Sequence, residues 1–259
     1  MDEQTQKFLT TIAENVPKVK QQGYDEGQIQ GQYDVWDMMT NGRKYYHSAF
    51  AYWSVEYLRP PFKIIPTLGY SNSMFGNMKN LKKVEKAYFD LSQLSLSQTD
   101  RNSGNSSTWN GCGTLEEIED IGLPAGCYYY TYNNCYNLHT IEIVRSIETT
   151  IFTSTFFNCD SLMNVAFEGV IGRSISFSDS PLTVESMKNI ITHLKNYAGT
   201  DSEKAYTLTL KSSCKTELET AGFTDEDKRL LAENGITYSD NLTWVDVIDD
   251  LKWNLVWAS

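Results

Sequence analysis

The chain is expected to be an α/β protein: a short repeat solenoid with a helical cap at its N-terminal end and an α/β cap at its C-terminal end. Three observations predict this class. A ten-residue phrase recurs four times between residues 75 and 165. The segments after residue 180 switch to helical and strand periods. At 259 residues with 41% hydrophobic content, the chain is long enough to bury a substantial core and too apolar to stay disordered.

The phrase reads aromatic, x, Asn/Gly, Cys/Met, x, x, Leu, x, x, Val/Ile. Its copies run from Phe75 to Val84, Trp109 to Ile118, Tyr132 to Ile141 and Phe156 to Val165. Their leucines stand at 81, 115, 138 and 162, in steps of 34, 23 and 24. A period in the twenties marks stacked units, each too small to bury its own apolar side and sharing one core with its neighbours. The array is expected over 70–180. The longer first step comes from Ser92 to Ser107, rich in Ser, Asn, Asp and Gly, which predicts a surface loop.

Residues 1–69 form the expected N-terminal capping region. Leu9, Ile12, Val16 and Val19 step by 3, 4 and 3 and predict an amphipathic helix over 4–22, a candidate self-association seam interrupted at Pro17. A second helix is expected over 25–41, ending at Asn41-Gly42. An aromatic-dense stretch, Tyr45 to Tyr57, closes at Pro60-Pro61, and 62–66 reads as a short extended segment. Residues 181–259 form the C-terminal cap. Thr183 is the expected N-cap of a helix to Leu194, residues 205–210 alternate like a strand, and Thr224 opens a helix that ends at Asn234-Gly235. A last helix spans 242–251 and a last strand 253–257.

Charge and cysteine usage narrow the function. A net charge of −11 disfavours nucleic acid, which demands clustered Lys and Arg, and Lys79, Lys82, Lys83 and Lys86 read as a solvated face. The start is acidic and polar, so no secretory leader is expected in this chain, and no apolar run reaches membrane-spanning length. Cys112, Cys135 and Cys159 share one slot of the phrase, filled by Met78 in the first copy. That substitution suits buried packing and not thiol or metal chemistry, and no cofactor or metal is expected.

Catalytic signatures are weak. His47, His139 and His193 are scattered, and no nucleophile elbow, phosphate loop or dinucleotide fingerprint is present. Glu116, Glu117, Glu119 and Asp120 could in principle supply a cation site or a carboxylate pair for glycoside hydrolysis, but a charge run is ordinarily a solvated face. Asp227 lacks calcium-loop spacing and reads as helix N-terminal charge. The tyrosines Tyr128, Tyr130 and Tyr132, with Tyr136, are the candidate recognition patch, because outward rings of an extended segment can stack on sugars or grip a protein. The competing reading makes them core filler.

The phrase resembles the BspA-type, or Treponema-type, leucine-rich repeats, whose units run Phe-x-x-Cys-x-x-Leu-x-x-Ile with a period of about 23 residues. Copies 112–118, 135–141 and 159–165 match it closely, and the first is degenerate. The resemblance implies a curved solenoid with short strands on one side and turn-rich coil on the other. Modules of this kind occur in bacterial surface adhesins and phage structural proteins. The flanks Ile12 to Val19, Tyr33 to Asp37, Asn41 to Tyr45, Ala49-Phe50, Trp53, Leu182 to Met187 and Leu251 to Leu255 are similar to those of phage-derived repeat proteins from gut Firmicutes. The family supplies no catalytic residues. The expected function is therefore non-enzymatic: a structural or recognition protein, tail-associated in a phage or prophage particle, presenting a repeat face to a host glycan or protein. The alternatives are a surface or secreted adhesin using the same face and, third, a carbohydrate-active enzyme. Possible partners are a protein or glycan ligand and a second copy bound through 4–22.

Overall fold

The computed structural model describes residues 48–59, 63–65, 71–100, 102 and 104–259. The helices expected over 4–22 and 25–41, with Leu9, Ile12, Val16, Val19 and His47, lie outside the described residues. What is described is an α/β protein with two parallel sheets and few helices.

The first sheet takes one strand from each phrase. Strands β1 (Lys83–Val84), β2 (Glu117–Ile118), β3 (Thr140–Ser146) and β4 (Asn164–Gly169) lie side by side in sequence order, all parallel. The register aligns Val84, Ile118, Ile141 and Val165, the last residue of every copy. All four are buried, as β-branched side chains on a pleated surface facing a core should be. The residues just before the strands continue the pairing beyond both ends of the sheet. Lys82 N–H donates to Glu56 O (2.9 Å), Glu116 to Lys82 (2.8 Å), His139 to Glu116 (2.9 Å), Met163 to His139 (3.1 Å) and Thr183 to Met163 (2.9 Å).

The first residue of each phrase joins a stack of aromatic rings. Phe50, Phe75, Trp109, Tyr132, Phe156 and Phe177 follow one another at centroid distances of 5.5, 5.6, 5.2, 5.4 and 4.4 Å, with interplanar angles of 23° or less. The stack therefore runs past the four recognisable copies in both directions. Phe50 lies in the segment read as the N-terminal cap.

Turn chemistry around the rings explains the Asn/Gly slot. Backbone φ is positive two residues after the ring, at Asn77, Gly111, Asn134 and Asn158, and again two residues before it, at Ser73, Ser107, Tyr130 and Ser154. Glycine and asparagine visit this left-handed region at least cost. Amides then alternate in direction. Phe75 and Asn77 donate to Thr108 O (2.8 Å) and Asn110 O (2.7 Å) of the next copy, while Gly76 and Met78 close their own turns on Ser73 O (3.0 Å) and Phe75 O (3.3 Å).

Two polar side-chain series tie the copies together from inside. Cys112, Cys135 and Cys159 donate their S–H to the carbonyl of the preceding ring residue, Phe75 (2.9 Å), Trp109 (3.1 Å) and Tyr132 (3.1 Å). Thr131 and Thr155, each immediately before a ring, donate to Asn105 O (2.7 Å) and Tyr128 O (2.8 Å), while Thr108 lies within reach of both Asn105 O (2.6 Å) and Ser71 O (3.0 Å). The thiol slot therefore has a hydrogen-bonding role as well as the expected packing one. All five cysteines are free and buried.

The surface loop expected at 92–107 is only partly one. Leu94 is buried, as are Asn105 and Ser106. Cys127 N–H donates to Ser97 O (2.8 Å), Gln98 donates to Ala125 O (2.6 Å), and Ser71 Oγ donates to Asn105 Oδ1 (2.9 Å). Polar composition suggested solvation, but these side chains complete backbone bonds in the interior. At Gly104 a Cβ would stand 2.8 Å from Cys127 Cβ, so only glycine permits the close approach.

The C-terminal part adds β5 (Ile175–Phe177), α1 (Val184–Thr192), β6 (Thr207–Lys211), a 3-10 turn (Ser212–Cys214), α2 (Lys215–Thr220), α3 (Asp225–Glu233), α4 (Trp244–Asp250) and β7 (Asn254–Ala258). β5, β6 and β7 form the second parallel sheet in that order, so the strand at 175–177 pairs across the boundary expected at 180. Thr183 caps α1, and Thr224 and Thr243 form capping boxes with Asp227 and Asp246. Helix α1 also closes the open edge of β4: Val165 N–H donates to Ser186 Oγ (3.0 Å) and Phe167 N–H to Asn189 Oδ1 (2.6 Å). Trp244 and Trp253 are fully buried, and one hydrophobic core runs from Ala49 to Trp253. Among the described residues no helix is long and apolar enough to cross a membrane.

Candidate recognition face

The four candidate tyrosines separate into two environments. Tyr128 and Tyr132 are core residues, 0% and 1% exposed. Tyr132 is a member of the ring stack, and Tyr128 stacks on Phe152 at 5.6 Å and donates its hydroxyl to Arg145 O (3.0 Å). Burial pushes both phenols above their ordinary range. These two residues are thereby removed from the patch. Alternation along an extended segment does not apply here, because Tyr128 to Cys135 is a run of turns in which Thr131, Asn133 and Cys135 bond back three residues.

Tyr130 and Tyr136 remain toward solvent. Tyr130 sits at positive φ, half-buried, edge-on to Tyr129 at 4.2 Å. Tyr136 is 46% exposed and donates to Asn134 Oδ1 (3.2 Å), which also accepts from Asn158 Nδ2 (2.7 Å). Phe157, 51% exposed, stands in the next copy and was not among the candidates. Its carbonyl accepts from Asn134 N–H (3.0 Å), which brings it beside the same amide pair. The signal for both rings is positional. The slot after the stacking ring holds Gly76, Asn110, Asn133 and then Phe157; the slot four after it holds Lys79, Gly113, Tyr136 and Asp160. Both are aromatic side chains at slots that are otherwise small or polar; the ring of Tyr136 lies over Gly113 of the preceding copy, and Phe157 is the more exposed of the two.

The acidic cluster belongs to the outer face of the first sheet and is largely paired. Lys83 Nζ lies 3.0 Å from Glu117 and 2.7 Å from Glu119, and Arg145 bridges Asp120 (2.7 Å) and Glu168 (3.0 Å). The Lys83 and Arg145 partners hold the Glu119 and Asp120 carboxyls below the usual range. Glu116 is exposed beside this lattice. His139 is exposed in the copy-to-copy ladder, and His193 caps α1 with Nδ1 donating to Asn189 O (2.7 Å). Desolvation raises the Cys112 thiol to about 12 and pushes Cys135 and Cys159 well up too, so these thiols stay protonated. Among the described residues no group of three or more His, Cys, Asp or Glu converges on a metal position.

A concavity of about 610 Å³ opens where β3 and β4 end against α1 and α3. Ile147 and Val170, exposed at 48% and 41%, face it, beside the Lys195–Glu148 ion pair. Asn234 Nδ2, donating to Leu194 O (2.7 Å), links the two helix ends there. Comparison with protein-family models, with curated proteins and with solved structures gives no match.

Proposed function

We propose that the chain is a short solenoid of BspA-type leucine-rich repeats and a non-enzymatic recognition protein, tail-associated in a phage or prophage particle. Its repeat face meets a host glycan or protein through Tyr136 and Phe157, with the amides of Asn134 and Asn158 between them. One observation carries the reading: two large aromatic side chains stand exposed on neighbouring copies, at slots where the other copies carry small or polar residues. Flat aromatic surface beside planar amides suits stacking with directional hydrogen bonds, the chemistry of both sugar and protein recognition. The in-register strands and the ring stack support the solenoid. The flanking resemblance supports the particle setting.

The test is binding of the full chain to a glycan array and to intact Gram-positive cells, against a Tyr136→Ala/Phe157→Ala variant. The expected result is loss of binding with an unchanged unfolding midpoint. Retained binding by the double variant would overturn the assignment of this face.

A further inference from the structure

We propose that β7 is an association edge and that it pairs with β7 of a second copy, the two strands running antiparallel about a two-fold axis through Val256. The inference is independent of the recognition face.

The backbone of β7 decides which groups are available. Asn254 N–H donates to Tyr206 O (2.9 Å), and the parallel register sets Asn254, Val256 and Ala258 opposite Thr207, Thr209 and Lys211. In a parallel ladder those three residues direct both N–H and C=O to β6. Leu255 and Trp257 therefore direct theirs outward, where no described residue meets them. The first sheet manages its two outer edges differently: the chain at Tyr57 pairs with Lys83 beside β1, and Ser186 and Asn189 cover β4. β7 also lacks the usual blocking devices, having no proline and no charge among Asn254, Leu255, Val256, Trp257 and Ala258.

Self-complementarity selects a second copy as the occupant. With a net charge of −11, two copies repel across most of their surfaces, whereas the neutral β7 brings no like charges together. The two outward-facing residues flank Val256 symmetrically. Rotation about Val256 places Leu255 opposite Trp257 of the second copy and the reverse, closing two pairs of N–H···O=C bonds. Val256, 45% exposed on the outer face, meets its mate across the axis. On the other face Leu255 and Trp257 extend the layer formed by the buried Leu208 and Leu210, and they are only half-buried at its margin. The second copy covers that margin and continues the core across six strands.

Val256→Cys gives a direct trap. A non-hydrogen-bonded antiparallel pair sets Cα atoms about 4.5 Å apart, inside the disulfide range of about 4.4–6.8 Å. All five native cysteines are buried and do not compete. Mild oxidation with copper phenanthroline is expected to give a disulfide-linked dimer, and light scattering of the unsubstituted chain is expected to give twice the monomer mass. Leu255→Pro removes an outward N–H that β6 does not use, so it is expected to halve that mass with unchanged circular dichroism. Should proline perturb folding, Val256→Lys places two like charges on the axis and is expected to do the same. A monomer at all concentrations, or a dimer that survives both Val256→Lys and Leu255→Pro, overturns the proposal; the second result would put the contact elsewhere, for example at 4–22.

Discussion

The repeat array and the C-terminal part solve the same problem, an open sheet edge, in opposite ways. In the array each copy is closed by the next through repeated positions: ring on ring, thiol on carbonyl, threonine on carbonyl. At β4 the strand order of the sheet ends, and the exposed edge falls to Ser186 and Asn189, each used once. Repetition spreads stability over many similar contacts and leaves spare slots, such as those of Tyr136 and Phe157, free to vary. Single-use contacts close an end but leave no such freedom. The two regions should therefore respond differently to substitution.

The largest effect is expected in the ring stack. Trp109→Ala opens a hole between Phe75 and Tyr132 and should cost about 3–5 kcal/mol, read from a urea unfolding midpoint. Trp109→Phe sharpens the point. The indole Nε1 is buried without a partner among the described residues, so removing it relieves a penalty of about 1–3 kcal/mol that offsets part of the lost volume. The phenylalanine variant should stay much closer to the original chain than the alanine one.

Intermediate effects separate the two regions. Thr131→Val removes one rung of the array and should cost about 1 kcal/mol. Asn134→Val forces a β-branched residue to φ of 59° and should cost about 1–2 kcal/mol or more beyond the lost side-chain bonds, whereas Asn134→Gly keeps the backbone conformation and should cost only the bonds to Tyr136 and Asn158, about 1 kcal/mol. In the C-terminal part, Thr224→Ala breaks a capping box and should cost about 1 kcal/mol, with its loss confined to the hydrogen exchange of α3.

The charged face should give the smallest change. Glu119 and Asp120 have lowered folded pKa values, so their contribution is present above the unfolded carboxylate range near 4 and is lost as pH falls through the folded values. Lys83 is raised, so its contribution is present below about 10 and fades only above that. Arg145→Met should cost less than about 1 kcal/mol at neutral pH and should flatten the acid limb of a stability–pH profile.

The array was legible because its slots repeat, and the limits of legibility follow the same logic. Ring, Asn/Gly, Cys and Leu slots recur often enough to be seen, and the threonine caps at 183 and 224 follow from local chemistry. The threonine series at 108, 131 and 155 escaped notice because Met74 breaks it in the first copy. Phe50 and Phe177 were hidden because the phrase's leucine slot, six residues after the ring, holds Glu56 and Thr183 there. Of the two readings of Tyr128 and Tyr132, patch or core filler, the structure bears out the second; Tyr132 holds the ring slot of its phrase, which already pointed inward, whereas only the turn geometry buries Tyr128. β5 and α2, at three and six residues, are too short for periodicity to register.

Residue-resolved amide hydrogen exchange tests the copy-to-copy ladder most directly. The account predicts that Phe75, Asn77, Trp109, Gly111, Tyr132 and Asn134, whose amides all donate to a neighbouring copy, exchange slowly and at one common opening free energy. Fast, loop-like exchange at these positions, or separate opening of each copy, would contradict it.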